Sequence, residues 1–128
     1  MRMIIALRGG LVLGGLLLLS LAAGFLFDPA GSAADFGIAV EGAHGLTSVR
    51  GDLTSFFLVS AGCYIWGAIA KRRDPLIIGA ALMLVVLACR LLSLALLGPF
   101  EGFIPPMVVE FVLGILALIG ARVLPETP

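Results

Sequence analysis

Charged side chains are scarce in this chain. They make up 12% of its 128 residues, eight basic and eight acidic, for a formal net charge of zero. A soluble domain usually carries about 25% charge. Nothing here forms the basic surface that nucleic acid needs, so a nucleic-acid partner is excluded. There is one histidine, His44, and there are two cysteines, Cys63 and Cys89. The cysteines lie far apart, with no CxxC or metal-ligand spacing, and a single histidine cannot complete a zinc site. They read as small buried thiols and His44 as a solvated loop residue. No nucleophile elbow, Walker A loop or dinucleotide fingerprint occurs, so no catalytic residue, metal or cofactor is indicated by motif.

Apolar residues fill the space that charge leaves. They form 61% of the sequence, and the mean hydropathy is +1.20. A chain this short is at most one domain, and as a soluble one it could not hide that much apolar surface. The expected solvent is a lipid bilayer.

Four apolar runs follow, at about 9–27, 53–70, 75–97 and 103–124. Each approaches the ~20 residues that cross ~30 Å of hydrocarbon as a helix. The runs lack a period of two, and backbone groups in lipid must be paired within the segment, so helices are expected. The fold read from the sequence is an all-α, integral membrane four-helix bundle forming a single transmembrane domain, 1–128. Asp74-Pro75 is expected to open the third helix, with Asp as N-cap and Pro at the first helical position. Gly98-Pro99 closes it, Pro105-Pro106 opens the fourth, Asp28-Pro29 ends the first and Pro125 ends the last. The basic link 71–74 and the link 98–103 are short enough to join antiparallel neighbours. A long outer loop, 28–52, is expected between helices one and two, with "FGIAV" as a strand or a cap on the bundle's mouth.

Lysine and arginine give the orientation. Arg2, Arg8, Lys71, Arg72, Arg73 and Arg122 fall on one side of a four-crossing arrangement, and Arg50 stands alone on the other. By the positive-inside rule both termini are expected to be cytoplasmic and 28–52 outside. A secretory leader is the rival reading of the N-terminus, with "SLA" and "SAA" as passable cleavage sites. The apolar run is longer than the usual ~7–15 residues of such a leader, so helix one is expected to be retained.

Arg90 breaks the third run. No charged residue precedes it for fifteen positions or follows it for ten. An arginine in the membrane costs ~2.5–3.5 kcal/mol on insertion scales. It lies about seven residues, or roughly 10 Å, below the outer end of its helix, and Glu110 lies roughly 6–8 Å below the same surface on the next. Glu110 is therefore expected to pair with Arg90. Gly114, Ala117 and Ala121 follow Glu110 on one small-residue stripe that suits close helix packing, as do Gly10 and Gly14 on helix one, and Cys63 and Gly67 on helix two. Trp66, Phe100 and Phe103 suit the interfacial belts, and Tyr64 at mid-depth should find a hydrogen-bond partner. Arg50, Asp52, Asp28 and Glu101 fall at the same outer end. With Arg90 and Glu110 they form the candidate binding cluster. The plain alternative is an ion-pair network that only fixes helix register.

The segments "DPAG", "FGIAV", "SVRGDLTSFFLVSAGCYI", "CRLLSL" and "PPMVVEFVLGILAL" come in an order that resembles the small bacterial four-helix membrane proteins catalogued as domain of unknown function 4345. The resemblance runs from about Leu11 to Ala121. It implies that Arg50, Arg90 and Glu110 occupy the places of an Arg leading helix two, an Arg late in helix three and a Glu early in helix four. The family often has a Gly pair after the first Arg, whereas this chain has Gly51-Asp52. The resemblance carries no activity.

Three functions are compatible with these residues. The first expectation is an accessory or interaction subunit packed against a larger membrane complex, itself a possible homo-oligomer. The second is a binder or transporter of a small solute, lipid or quinone, using the cluster as an anion pocket. The third, and the least favoured, is a membrane enzyme with Glu110 as acid or base.

Overall fold

The computed structural model describes residues 1–125. The last three residues of the expected domain, 126–128, lie outside the described residues. Five helices appear, and no strand occurs among the described residues. They are α1 (Arg2–Phe27), α2 (Pro29–Asp35), α3 (Gly42–Ala70), α4 (Arg73–Leu97) and α5 (Ile104–Val123). All but α2 are long and apolar enough to cross a membrane.

The helix ends correct the sequence reading in three places. Helix α1 starts at Arg2, two turns before the apolar run. The expected loop 28–52 is mostly helical. Asp28 accepts a hydrogen bond from the Gly31 amide at 3.1 Å and Pro29 opens α2, the same Asp-Pro start signal that was read at Asp74-Pro75. Helix α3 then begins at Gly42, eleven residues before Leu53. Hydropathy marks where apolar surface ends, and a polar helix continues past that point. His44 therefore sits exposed in the first turn of α3 and not in a loop. Helix α4 begins at Arg73, with Arg72 as N-cap, so Asp74 lies in the first turn and is not the cap.

The long helices run up, down, up and down. α1 packs on α3 and α5, and α4 packs on α3 and α5, so the bundle closes with antiparallel neighbours throughout. Two ends result. One, the basic end, holds Arg2, the turn at Lys71–Arg72 and Arg122. The other, the loop end, holds 28–41 and 98–103.

Burial follows a heptad-like stripe. On α1 the buried positions are Leu7, Leu11, Gly14, Gly15, Leu18, Ala22 and Phe25, and apart from the adjacent Gly14 and Gly15 they are spaced by three and four residues as in left-handed bundles. Glu110, Gly114, Ala117 and Ala121 are all buried on α5, as their spacing predicts. Gly14 faces Leu113 of α5, and Gly67 faces Leu76 of α4. Helix α4 departs from this pattern. Its buried residues are Pro75, Leu76, Gly79, Ala80 and Met83, and no side chain beyond Met83 is buried. The half of α4 toward the loop end therefore leaves space beside it.

An aromatic cluster seats the loop end. Phe36 lies 5.4 Å from Phe25 and 5.9 Å from Phe57 between ring centroids, and Phe25 stacks on Phe57 at 5.5 Å. The "FGIAV" segment thus caps the bundle through Phe36, as one of its two expected forms, and not as a strand. Trp66 and Phe100 are exposed, as interfacial aromatics would be. Tyr64 corrects an expectation. It is fully buried against Gly79, yet its hydroxyl has no hydrogen-bond partner among the described residues.

Two arginines clasp α1 to α3. Near the basic end, Arg8 donates to the carbonyls of Ala68 at 2.9 Å and Ile69 at 3.2 Å. At the loop end, Arg50 donates to the carbonyl of Leu26 at 3.1 Å. The last carbonyls of a helix have no partner within it, and a cation there also offsets the negative end of the helix dipole. Each helix of this antiparallel pair thus caps the C-terminus of the other.

Candidate functional site

Arg90 and Glu110 meet. Arg90 Nε donates to Glu110 Oε1 at 2.7 Å. Helix geometry explains why they can. Arg90 is seven residues from the end of α4 and Glu110 six residues from the start of α5. At ~1.5 Å per residue, both lie roughly 9–10 Å below the loop end. The small-residue stripe of α5 turns Glu110 toward its neighbours, and its side chain is only 10% exposed.

The pair is singly bonded. Arginine can grip a carboxylate with two parallel bonds, but here only Nε takes part in a hydrogen bond among the described residues. Glu110 Oε2 is buried with no hydrogen-bond partner among them. Thr54 Oγ1 is a further buried oxygen in that condition. Buried polar atoms are nearly always satisfied, and each exception calls for a reason.

Two clefts open on Arg90. One, of about 360 Å³, is walled by Leu53, Phe56 and Phe57 of α3 and Val86 of α4, with Arg90 and Glu110 as its polar part. The other, of about 580 Å³, lies toward the loop end. Arg90 borders it with Asp35, Glu101 and the Pro105-Pro106 start of α5. Phe36 borders both. An apolar recess and a polar mouth therefore share one guanidinium, whose side chain is 29% exposed.

The structure divides the six residues of the expected cluster. Arg90 and Glu110 come together, and Glu101 lines the mouth. Arg50 lines neither cleft and is engaged with Leu26. Asp28 serves as the N-cap of α2. Asp52 is exposed and has no hydrogen bond or ion pair among the described residues. Sequence reasoning missed Phe36, Phe56 and Phe57 as walls, because apolar residues in an apolar run carry no mark of which face borders a cleft. No cluster of His, Cys, Asp or Glu that could hold a metal occurs among the described residues, and both cysteines are free.

Comparison with family models, curated proteins and solved structures finds no match to this chain.

Proposed function

We propose that this chain is a multi-pass protein of a bacterial inner membrane, with both termini cytoplasmic, that binds an amphiphile in the cleft of Arg90 and Glu110. The carrying observation is the pair's unused hydrogen-bonding capacity at the meeting of a polar mouth and an apolar recess. Arg90 can donate through its terminal nitrogens, and Glu110 Oε2 can accept. A ligand head offering an acceptor and a donor complements both, as a carboxylic acid, a quinol or a phosphate ester does. Its apolar body fits along Phe56, Phe57 and Val86. Ligand sites of this kind are mostly apolar with a few fixed polar groups, and ionisable groups at membrane depth are functional candidates by default. The resemblance to the domain of unknown function 4345 proteins is part of the same proposal, through Arg90 and Glu110.

The orientation rests on the basic asymmetry between the two ends. In a variant whose native cysteines are replaced by alanine, Ala39→Cys in intact cells should react with an impermeant thiol reagent. Arg72→Cys should react only after the cells are opened. The reverse pattern would invert the topology.

The binding reading is tested by thermal unfolding of the purified protein in detergent, with long-chain carboxylic acids, quinols and phosphate esters as probes. A ligand at a hundred times its Kd adds about 2.7 kcal/mol. Arg90→Lys should lose that gain, because a point charge cannot reproduce the fork of arginine. A wild-type protein indifferent to every probe would sink the cleft reading. It would leave the accessory subunit, which a stoichiometric large partner in a mild-detergent pull-down would support.

A further inference from the structure

A second groove lies at the opposite end of the bundle, on the outside of α4 and α5. It measures about 430 Å³, and Arg73 and Arg122 stand at its rim. One helical turn deeper, Ile77 lies below Arg73 on α4. On α5, Leu118 and Ile115 lie four and seven residues from Arg122, on the same stripe, and Ile119 borders them. The groove is thus cationic at the rim and purely aliphatic below it. Among the described residues no acidic side chain lines it. Neither arginine has a hydrogen bond or ion pair among the described residues, and both are exposed.

We infer that this groove is a site for one anionic phospholipid, with its phosphate between Arg73 and Arg122 and an acyl chain along Ile77, Ile115 and Leu118. The inference rests on the bilayer-spanning part of the proposed function and is independent of the cleft at Arg90. Charge complementarity selects the occupant. Two guanidiniums face one region with no carboxylate among the described residues that line it, and guanidinium is the side chain best matched to phosphate oxygens. The aliphatic stripe selects a lipid over a free phosphate, because it runs from Arg122 to Ile115, roughly 10 Å into the bilayer. Basic pockets between spanning helices at the cytoplasmic face hold anionic headgroups by this combination.

The test uses the purified full chain in a neutral detergent, titrated with phosphatidylglycerol, phosphatidylcholine or inorganic phosphate and read by native mass spectrometry. One phosphatidylglycerol should be retained in preference to phosphatidylcholine. The Arg73→Ala/Arg122→Ala variant should bind it about thirtyfold more weakly, from ~1 kcal/mol per arginine near the surface. Both side chains are exposed, so this variant should unfold at the wild-type temperature without lipid. Arg2→Ala/Arg72→Ala removes the same charge from the same end but outside the groove, and it should keep wild-type affinity. Equal loss in both double variants would make the attraction diffuse and overturn the site. Equal retention of the two lipids would overturn it too, as would inorganic phosphate displacing phosphatidylglycerol at equal concentration. The labelling experiment reports insertion separately, so a failed lipid site is distinguishable from a failed membrane assignment.

Discussion

Arg90→Leu should destabilise the protein in detergent by about 3–5 kcal/mol, the cost of leaving a buried charge without its partner. The orphan would be Glu110, whose side chain is 10% exposed. Glu110→Leu should cost less, about 1.5–3 kcal/mol, the range for a hydrogen bond to a charged group. Its orphan would be Arg90, which is 29% exposed and whose long stem lets the charged head move toward the loop end. The double variant should recover part of the summed loss, since replacing both partners with apolar residues is often nearly neutral. Reversible unfolding of the four proteins measures this cycle. Strictly additive losses would mean that the 2.7 Å contact contributes nothing to stability.

Gly79→Leu should also be damaging, by a different route. A Cβ at position 79 would lie 2.8 Å from Tyr64 Cε2 and 3.0 Å from Cδ2. Tyr64 is fully buried, so its ring has nowhere to retreat and α4 must move away from α3. Overpacking of this kind costs about 1–3 kcal/mol and occasionally more. Here it should reach the upper part of that range, because the added branch extends beyond the clashing Cβ. Gly62→Ala supplies the contrast. Nothing lies within 4 Å of a Cβ built there, so that change should leave stability unchanged or raise it by up to about 1 kcal/mol through backbone entropy. Melting temperatures that fall equally in both would show that the glycines matter for helix flexibility and not for close approach.

These two sites differ in how visible they are from sequence alone. The ion pair could be read, because an isolated charge in an apolar run demands a partner and depth counted along two helices identifies one. The small-residue stripe of α5 could be read for the same geometric reason. The Gly79–Tyr64 contact could not, since nothing in either segment says which turn of α4 meets which turn of α3. The start of α3 was hidden by its polarity and by Gly42, Gly45 and Gly51, which imitate a loop although the turns there are helical. The roles of Arg8 and Arg50 were invisible because their acceptors are backbone carbonyls, which every residue has. The sequence places Arg50 in the candidate binding cluster, and the structure adds its hydrogen bond to the end of α1.

The positions of the polar contacts also bear on how such a chain is made. Both arginine clasps join α1 to α3, and the ion pair joins α4 to α5. In each case the partners belong to consecutive long helices. A chain that leaves the ribosome N-terminus first can therefore satisfy Arg8 and Arg50 once α3 has formed, before α4 exists. Arg90 then waits only for α5, the other half of its own hairpin. Each of these contacts closes within one helical hairpin, α1–α3 or α4–α5, so none of them depends on the two hairpins docking first.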